Sequence, residues 1–106
     1  MSIWYDESLG PDDTEAGNDE AFDWDEGNFY KLDDHRVTAD EVEEACRDPY
    51  RKPAEAYRLR GERRRALVGA TESERLLYVV YTQRLGRIRV ISARDATGDE
   101  RRKYWR

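Results

Sequence analysis

The chain has 106 residues and a mass of 12.5 kDa, which fits one small domain and leaves little room for a second. Charged residues reach 41% against 38% hydrophobic and the mean hydropathy is −1.08, so part of the chain is expected to lie outside any core. No apolar run approaches the roughly 18 residues of a membrane span, and the opening Met-Ser-Ile-Trp-Tyr-Asp lacks the basic and apolar regions of a signal peptide. The lone Cys46 excludes an internal disulfide and suits a reducing cytoplasm; with a single histidine, a structural zinc site is not expected.

The net charge of −5 conceals a split. Residues 1–46 carry 16 Asp/Glu against Lys31 and Arg36, a balance of −14, while residues 47–106 carry 17 Lys/Arg against 8 Asp/Glu, a balance of +9. A basic half of this kind suits a polyanionic ligand, and an acidic block suits a solvated tail or an intramolecular competitor for that ligand.

Residues 1–20 show no periodicity, carry seven acidic residues and contain Gly10, Pro11 and Gly17, and read as a disordered acidic extension with Ile3, Trp4, Tyr5 and Leu9 as apolar anchors. Residues 21–106 read as the folded domain. Phe22-Asp-Trp24 alternates like a short strand, and Asp25 is placed to cap a helix of about eight residues with Phe29 and Leu32 on one face. Thr38-Ala-Asp-Glu41 is a capping box flanked by Val37 and Val42 as a hydrophobic staple. Val42, Ala45 and Cys46 share the inner face of this second helix, which Asp48-Pro49 ends because a residue before proline disfavours the α conformation.

Three apolar runs follow, at residues 65–69, 76–82 and 87–92, joined by connections of hairpin length. The middle run is nearly continuous Leu/Tyr/Val and is expected to be the central strand, covered on both faces. Residues 50–64, with Pro53, can supply a further edge strand. Thr97-Gly-Asp-Glu100 is a second capping box that opens a short C-terminal helix. The fold class is α+β: an antiparallel sheet of three to four strands with two N-terminal helices and a short C-terminal helix.

In the last strand, side-chain alternation turns Ile88 and Val90 to one face and Arg87 and Arg89 to the other, beside Tyr81 or Tyr78 of the neighbouring strand. Such a face suits RNA, since guanidinium groups hold phosphate bidentately and aromatic rings stack unpaired bases; it equally suits a solvated face paired with surface carboxylates. Arg63, Arg64 and Arg65, with Arg58 and Arg60, form the densest basic cluster. His35 can transfer a proton or close the first helix, and Glu100 can act as a base or serve only its capping box. Tyr104 and Trp105 can close a core edge. No glycine-rich phosphate loop is present, and no cofactor is implied.

Phe22-Asp-Trp-Asp25-Glu-Gly-Asn28, His35-Arg-Val37, Glu43-Glu-Ala45 and Asp48-Pro49, followed by Arg87-Ile-Arg-Val-Ile-Ser-Ala-Arg94-Asp-Ala-Thr97 and Glu100-Arg-Arg-Lys-Tyr104, resemble the BrnT toxin family over residues 22–106. The resemblance implies a RelE-like fold and the ribonuclease toxin of a type II toxin–antitoxin pair. Such a toxin cleaves RNA without a metal, halts translation, and is neutralised by a DNA-binding BrnA antitoxin whose complex represses the operon. The family's polar positions fall on His35, Glu62 with Arg64, Arg89, Arg94, Glu100 and Tyr104. The implied mechanism is in-line attack of a ribose 2′-OH on the adjacent phosphate. Arg64, Arg89 and Arg94 would stabilise the phosphorane, Glu100 or His35 would move the proton, and Tyr81 or Tyr104 would hold a base or the leaving oxygen. Arg63, Arg65, Arg87 and Tyr81 are the expected RNA contacts. Many family members carry glycine after the histidine, where this chain has Arg36, so a positive-φ helix cap would cost roughly 1 kcal/mol. The acidic extension departs from the family pattern and reads either as a passive solubilising arm or as a segment that folds back over the basic face and mimics RNA. Two other readings stay open: a catalytically inactive binding partner and co-repressor of the same fold, and an unrelated nucleic-acid-binding domain.

Overall fold

The computed structural model describes residues 22–56 and 63–106. The expectations placed on residues 1–20 and on Arg58, Arg60 and Glu62 lie outside the described residues. Four strands, β1 (Lys52–Ala54), β2 (Arg65–Ala70), β3 (Leu76–Arg84) and β4 (Arg87–Asp95), form one antiparallel sheet in the order β1-β2-β3-β4. The meander is the one the turn spacing predicts, and Pro53 lies in the edge strand, where its missing N–H costs no ladder bond to a further neighbour.

Helix α1 (Glu26–Phe29) is a single turn that continues as a 3-10 segment, Tyr30–His35, instead of one regular helix. Asp25 caps it as expected, its Oδ1 accepting from the Gly27 and Asn28 amides at 2.8 and 3.3 Å. The residues that follow, Asn28, Phe29, Tyr30, Asp33, Asp34 and His35, rank low in helix propensity, and a tighter i→i+3 ladder takes over. Arg36 closes the segment in the left-handed conformation, φ 55° and ψ 46°, with its N–H on the carbonyls of Leu32 and Asp33. Helix α2 (Ala39–Arg47) begins with both halves of the Thr38/Glu41 capping box formed and ends at Asp48, whose ψ of 120° is the extended value that Pro49 imposes. Helix α3 (Gly98–Tyr104) is capped in the same way by Thr97 and Glu100.

The 3-10 segment and α2 cover one face of the sheet. Leu67, Leu77, Val79, Tyr81, Ile88, Val90 and Ala93 meet Phe22, Leu32, Val37, Val42, Ala45 and Cys46 there. The approach of α2 to β2 is so close that a Cβ built on Gly69 would stand 2.1 Å from the Ala45 carbonyl oxygen. Cys46 is fully buried, and burial pushes its thiol pKa far up, so it is an inert core residue. On the opposite face α3 packs over β1 and β2, with Tyr104 buried against Val68 and Leu76. That face is covered by α3 at one end; beside it Val80 is buried, and Tyr78, Arg89 and Arg94 are partly exposed, which makes this the more open face among the described residues.

Two expectations need correction. Phe22–Trp24 does not form a strand; the segment makes one parallel bridge, Phe22 to Ile88, at the outer edge of β4. Tyr81 pairs with Val90 and is fully buried on the helix-covered face, not on the Arg89 face expected for it; Arg65, paired with Tyr81, shares the helix-covered face.

The β3–β4 register contains a bulge. Tyr81 pairs with Val90 and Val80 with Ser92, so Ile91 is an extra residue on β4. Strict alternation from Arg89 would turn Arg94 towards the helices. The extra residue reverses the phase, keeping Ala93 in the core with Ile88 and Val90 and delivering Arg94 to the open face with Arg89.

Candidate functional site

Arg94 lies directly across from Tyr78 on the open face, its guanidinium carbon 4.0 Å from the ring centroid. Its Nη1 and Nη2 donate to Glu100 Oε1 and Oε2 at 2.9 and 3.0 Å, a bidentate pair. Glu100 is presented by the first turn of α3 because its Oε1 also accepts the Thr97 amide at 2.8 Å. The hydrogen bond from Arg94 is the main cause that holds the Glu100 carboxyl below its usual range, and the same bond raises the Arg94 guanidinium further. Tyr78 is fixed in turn by donating its hydroxyl to the Glu55 carbonyl at 2.7 Å.

Arg89 makes a second bidentate pair, with Nη1 to Asp25 Oδ2 at 3.0 Å and Nη2 to Asp25 Oδ1 at 3.1 Å, and Asp23 stands 3.5 Å away. The pair is built by Asn28, a buried residue to which the sequence reading assigned no role. Its Nδ2 donates to the carbonyls of Val90 (3.1 Å) and Asp23 (2.9 Å), and its Oδ1 accepts the Asp25 amide at 2.8 Å. Asn28 thereby staples the turn carrying Asp23 and Asp25 onto the outer edge of β4, satisfying a carbonyl that an edge strand would leave bare. The hydrogen bond from Arg89 holds the Asp25 carboxyl low.

The remaining expected residues divide. Arg87 is exposed on the Arg89 face at the hairpin end. Arg63 and Arg64 lie just before β2, exposed and half-buried, and the Arg63 carbonyl accepts from Thr82 Oγ1 at 3.1 Å. One further step of the β2–β3 register would set Arg64 opposite Thr82, whose β4 partner is Arg89. His35 is exposed at the end of the 3-10 segment, on the helix side of β4, whereas Glu100 is held by Arg94 on the opposite face. Its neighbourhood is organised by Arg75, which the sequence reading passed over. Arg75 donates to the carbonyls of Arg36 (3.0 Å) and His35 (3.4 Å) and pairs with Asp95 at 2.7 Å and Glu41 at 3.2 Å. The Arg75 bond is the main cause of the low Asp95 carboxyl pKa, with smaller contributions from Arg101 and His35.

Tyr104 is placed in the interior and not on the open Arg94 face. Its hydroxyl is buried and donates to Asp48 Oδ2, and burial, followed by that bond, pushes its pKa up. Asp48 also accepts the amides of Ala70 (2.8 Å) and Tyr50 (2.9 Å), tying the end of α2 to β2, β1 and α3. A carboxylate after a helix and before proline reads only as a stop signal, so no pattern in the sequence announces this junction. Between α3 and the sheet lies a cleft of about 430 Å³ with Val68, Tyr78, Glu100 and Tyr104 in its lining.

Two guanidinium groups therefore stand on one sheet face, each in a geometry that fits a phosphate and each occupied by a carboxylate of the same chain. Among the described residues no group of three His, Cys, Asp or Glu side chains gathers as a metal site, and no helix is long and apolar enough to cross a membrane. Comparison with curated proteins gives no match. A family model described as the ribonuclease toxin BrnT of type II toxin–antitoxin systems matches residues 24–100, a span that runs from the Trp24-Asp25 turn to Glu100 and takes in the whole sheet. The chain belongs to the BrnT family of ribonuclease toxins of type II toxin–antitoxin systems.

Proposed function

We propose that this chain is an endoribonuclease toxin with a RelE-like fold whose active face is the open side of β3 and β4. The observation that carries the reading is the bulge at Ile91, which sets Arg89 and Arg94 on one face beside Tyr78. A scissile phosphate displaces the carboxylates of Asp25 and Glu100 from the two guanidinium groups. The ribose 2′-OH then attacks the adjacent phosphorus. Its proton passes to a base, the phosphorane charge falls on Arg89 and Arg94 with Arg64 alongside, and the 5′-oxygen leaves with a proton. The products are a 2′,3′-cyclic phosphate and a 5′-hydroxyl. Glu100 is the favoured base because it stands next to Arg94 and, once the phosphate has displaced it, loses the hydrogen bond that holds its proton affinity down, with His35 as the alternative proton carrier. The charge stabilisation that a metal would supply comes here from arginine. In the cell the partner is a DNA-binding BrnA-like antitoxin that covers the basic face and carries the complex to operator DNA, all in the cytoplasm.

Inducible expression in bacteria, beside Arg89→Ala and Arg94→Ala variants, tests this. Growth arrest with RNA bearing cyclic-phosphate ends is expected for the wild type only, with each variant slower by about 100-fold or more in vitro. The pairing of both arginines with carboxylates favours a second reading, a non-catalytic partner and co-repressor. Harmless expression of folded wild type, with or without residues 2–20, would select it.

A further inference from the structure

The end of α3 carries a surface that the active face does not use. Trp105 is 72% exposed and Tyr50 is 73% exposed, while Tyr104 is buried. Trp105 stands edge-on to Tyr104, with centroids 4.9 Å apart and planes at 89°, so a buried neighbour holds the indole while one face stays open. Lys52 Nζ donates to the Arg106 carbonyl at 3.3 Å and the Asp48 carboxylate binds both the Tyr50 amide and the Tyr104 hydroxyl, which brings the residues around β1 to the end of α3. Arg102 pairs with Asp99 and Arg101 lies within electrostatic reach of Asp95, whereas Lys103 and Arg106 have no carboxylate partner among the described residues. A shallow depression is lined by these cations, the Asp99–Arg102 pair and Trp105.

We infer that this surface is a platform for single-stranded RNA, with Trp105 and Tyr50 stacking unpaired bases and Arg101, Lys103 and Arg106 holding backbone phosphates. The inference rests on the RNA-cleaving reading for its ligand class and goes beyond it in placing capture apart from chemistry. Arg89 and Arg94 must each shed a bidentate carboxylate before they accept a phosphate; among the described residues Lys103 and Arg106 have none to shed and Arg101 feels Asp95 only at a distance, so RNA is gathered there first. Open rings flanked by cations suit a base and its phosphate better than a protein surface, whose contacts would need a contiguous apolar patch. Trp105 lies about 8 Å along the helix axis from Glu100, so a strand held on the indole reaches the Arg94–Glu100 pair. Residues 101–106 also lie beyond the family-matched span, which ends at Glu100.

The test uses the full chain and a 2′-O-methylated oligouridylate that cannot be cleaved, with fluorescence anisotropy for affinity and indole quenching for stacking. Trp105→Ala is expected to weaken binding about tenfold and Trp105→Phe to retain most of it. Replacing Arg101, Lys103 and Arg106 by Gln should lower the slope of log K against log salt by about 2. With cleavable RNA, Trp105→Ala should raise KM and leave kcat unchanged. Equal affinity of wild type and Trp105→Ala overturns the platform, as does a loss for Trp105→Phe as large as that for Trp105→Ala. Release of the antitoxin by Trp105→Ala, with RNA affinity unchanged, would make this a protein-docking face and overturn it too. Cleavage with wild-type affinity in Trp105→Ala sinks the platform alone; tight, Trp105-dependent binding without cleavage sinks the ribonuclease reading alone.

Discussion

At Tyr104 and Glu100, four residues apart on α3, two side chains of the same C-terminal signature take opposite roles. The Tyr104 hydroxyl is committed to Asp48 inside the protein, whereas Glu100 reaches the open face and grips Arg94. Tyr104→Phe should cost about 1–2 kcal/mol of stability, because Asp48 loses one of its donors, and should leave the cleavage rate of the folded protein unchanged. Thermal melts beside a cleavage assay decide between that and a catalytic role. Glu100 also sets a pH dependence. Its folded pKa is depressed by Arg94 from an ordinary value of 4.5, so the stability it contributes is present above that value and is lost as pH falls through the lowered pKa. Asp25 and Asp95 are depressed in the same direction. Melting temperature should therefore fall below about pH 4.5, and Glu100→Gln should remove part of that fall while lowering the melting temperature at pH 7.

The elements are joined at positions where backbone conformation or close approach leaves little choice. Arg36 holds the left-handed cap between the 3-10 segment and α2 and is, among the described residues, one of three non-glycine residues with positive φ, the others being Glu74 and Leu85 in hairpin connections. Arg36→Gly should stabilise the fold by up to about 1 kcal/mol by relieving that strain, partly offset by the freer unfolded chain. Denaturant titration measures it, and a loss of stability would mean that the Arg36 side chain contributes more than its backbone costs. At Gly69 the reverse holds. An added methyl meets the Ala45 backbone and cannot be accommodated by a side-chain shift, so Gly69→Ala should cost about 3 kcal/mol by forcing α2 off the sheet. Both junctions lie on the helix-covered side of the sheet, opposite the face that carries Arg94, so the activity of whatever protein stays folded should persist.

Over the whole molecule the charge split remains the largest feature outside the described residues. Deleting residues 2–20 removes seven carboxylates and moves the net charge from −5 to +2. If the acidic extension competes with RNA for the basic face, the deletion should raise RNA affinity several-fold at low salt, with the difference vanishing as salt rises. Equal affinities at low salt would leave the extension without a part in RNA binding. Asp23 and Asp25 already illustrate the principle inside the fold, as carboxylates from the acidic half seated on an arginine of the basic half.

The helix starts, the second helix stop, the hairpin spacing and the α+β order were all legible in the residues, because capping boxes and strand alternation depend on neighbours one to four positions away. The family was legible for a different reason, in strings that survive as strings. The site was legible only in its residue types. Alternation predicts faces until a bulge shifts the phase, and nothing in the residues around Ile91 marks the extra position that brings Arg94 beside Arg89. Asn28 meets Val90 across 62 residues, and Tyr104 meets Asp48 across 56. Such partners are chosen by packing, which sets buried hydrogen-bonding groups against whatever the fold brings near. The sequence by itself thus determined the elements, their order and the chemistry available on one strand. Only the tertiary structure decided that Tyr81 is core, that Tyr104 is a strut, and that Arg89 and Arg94 share a face with carboxylates already in hand.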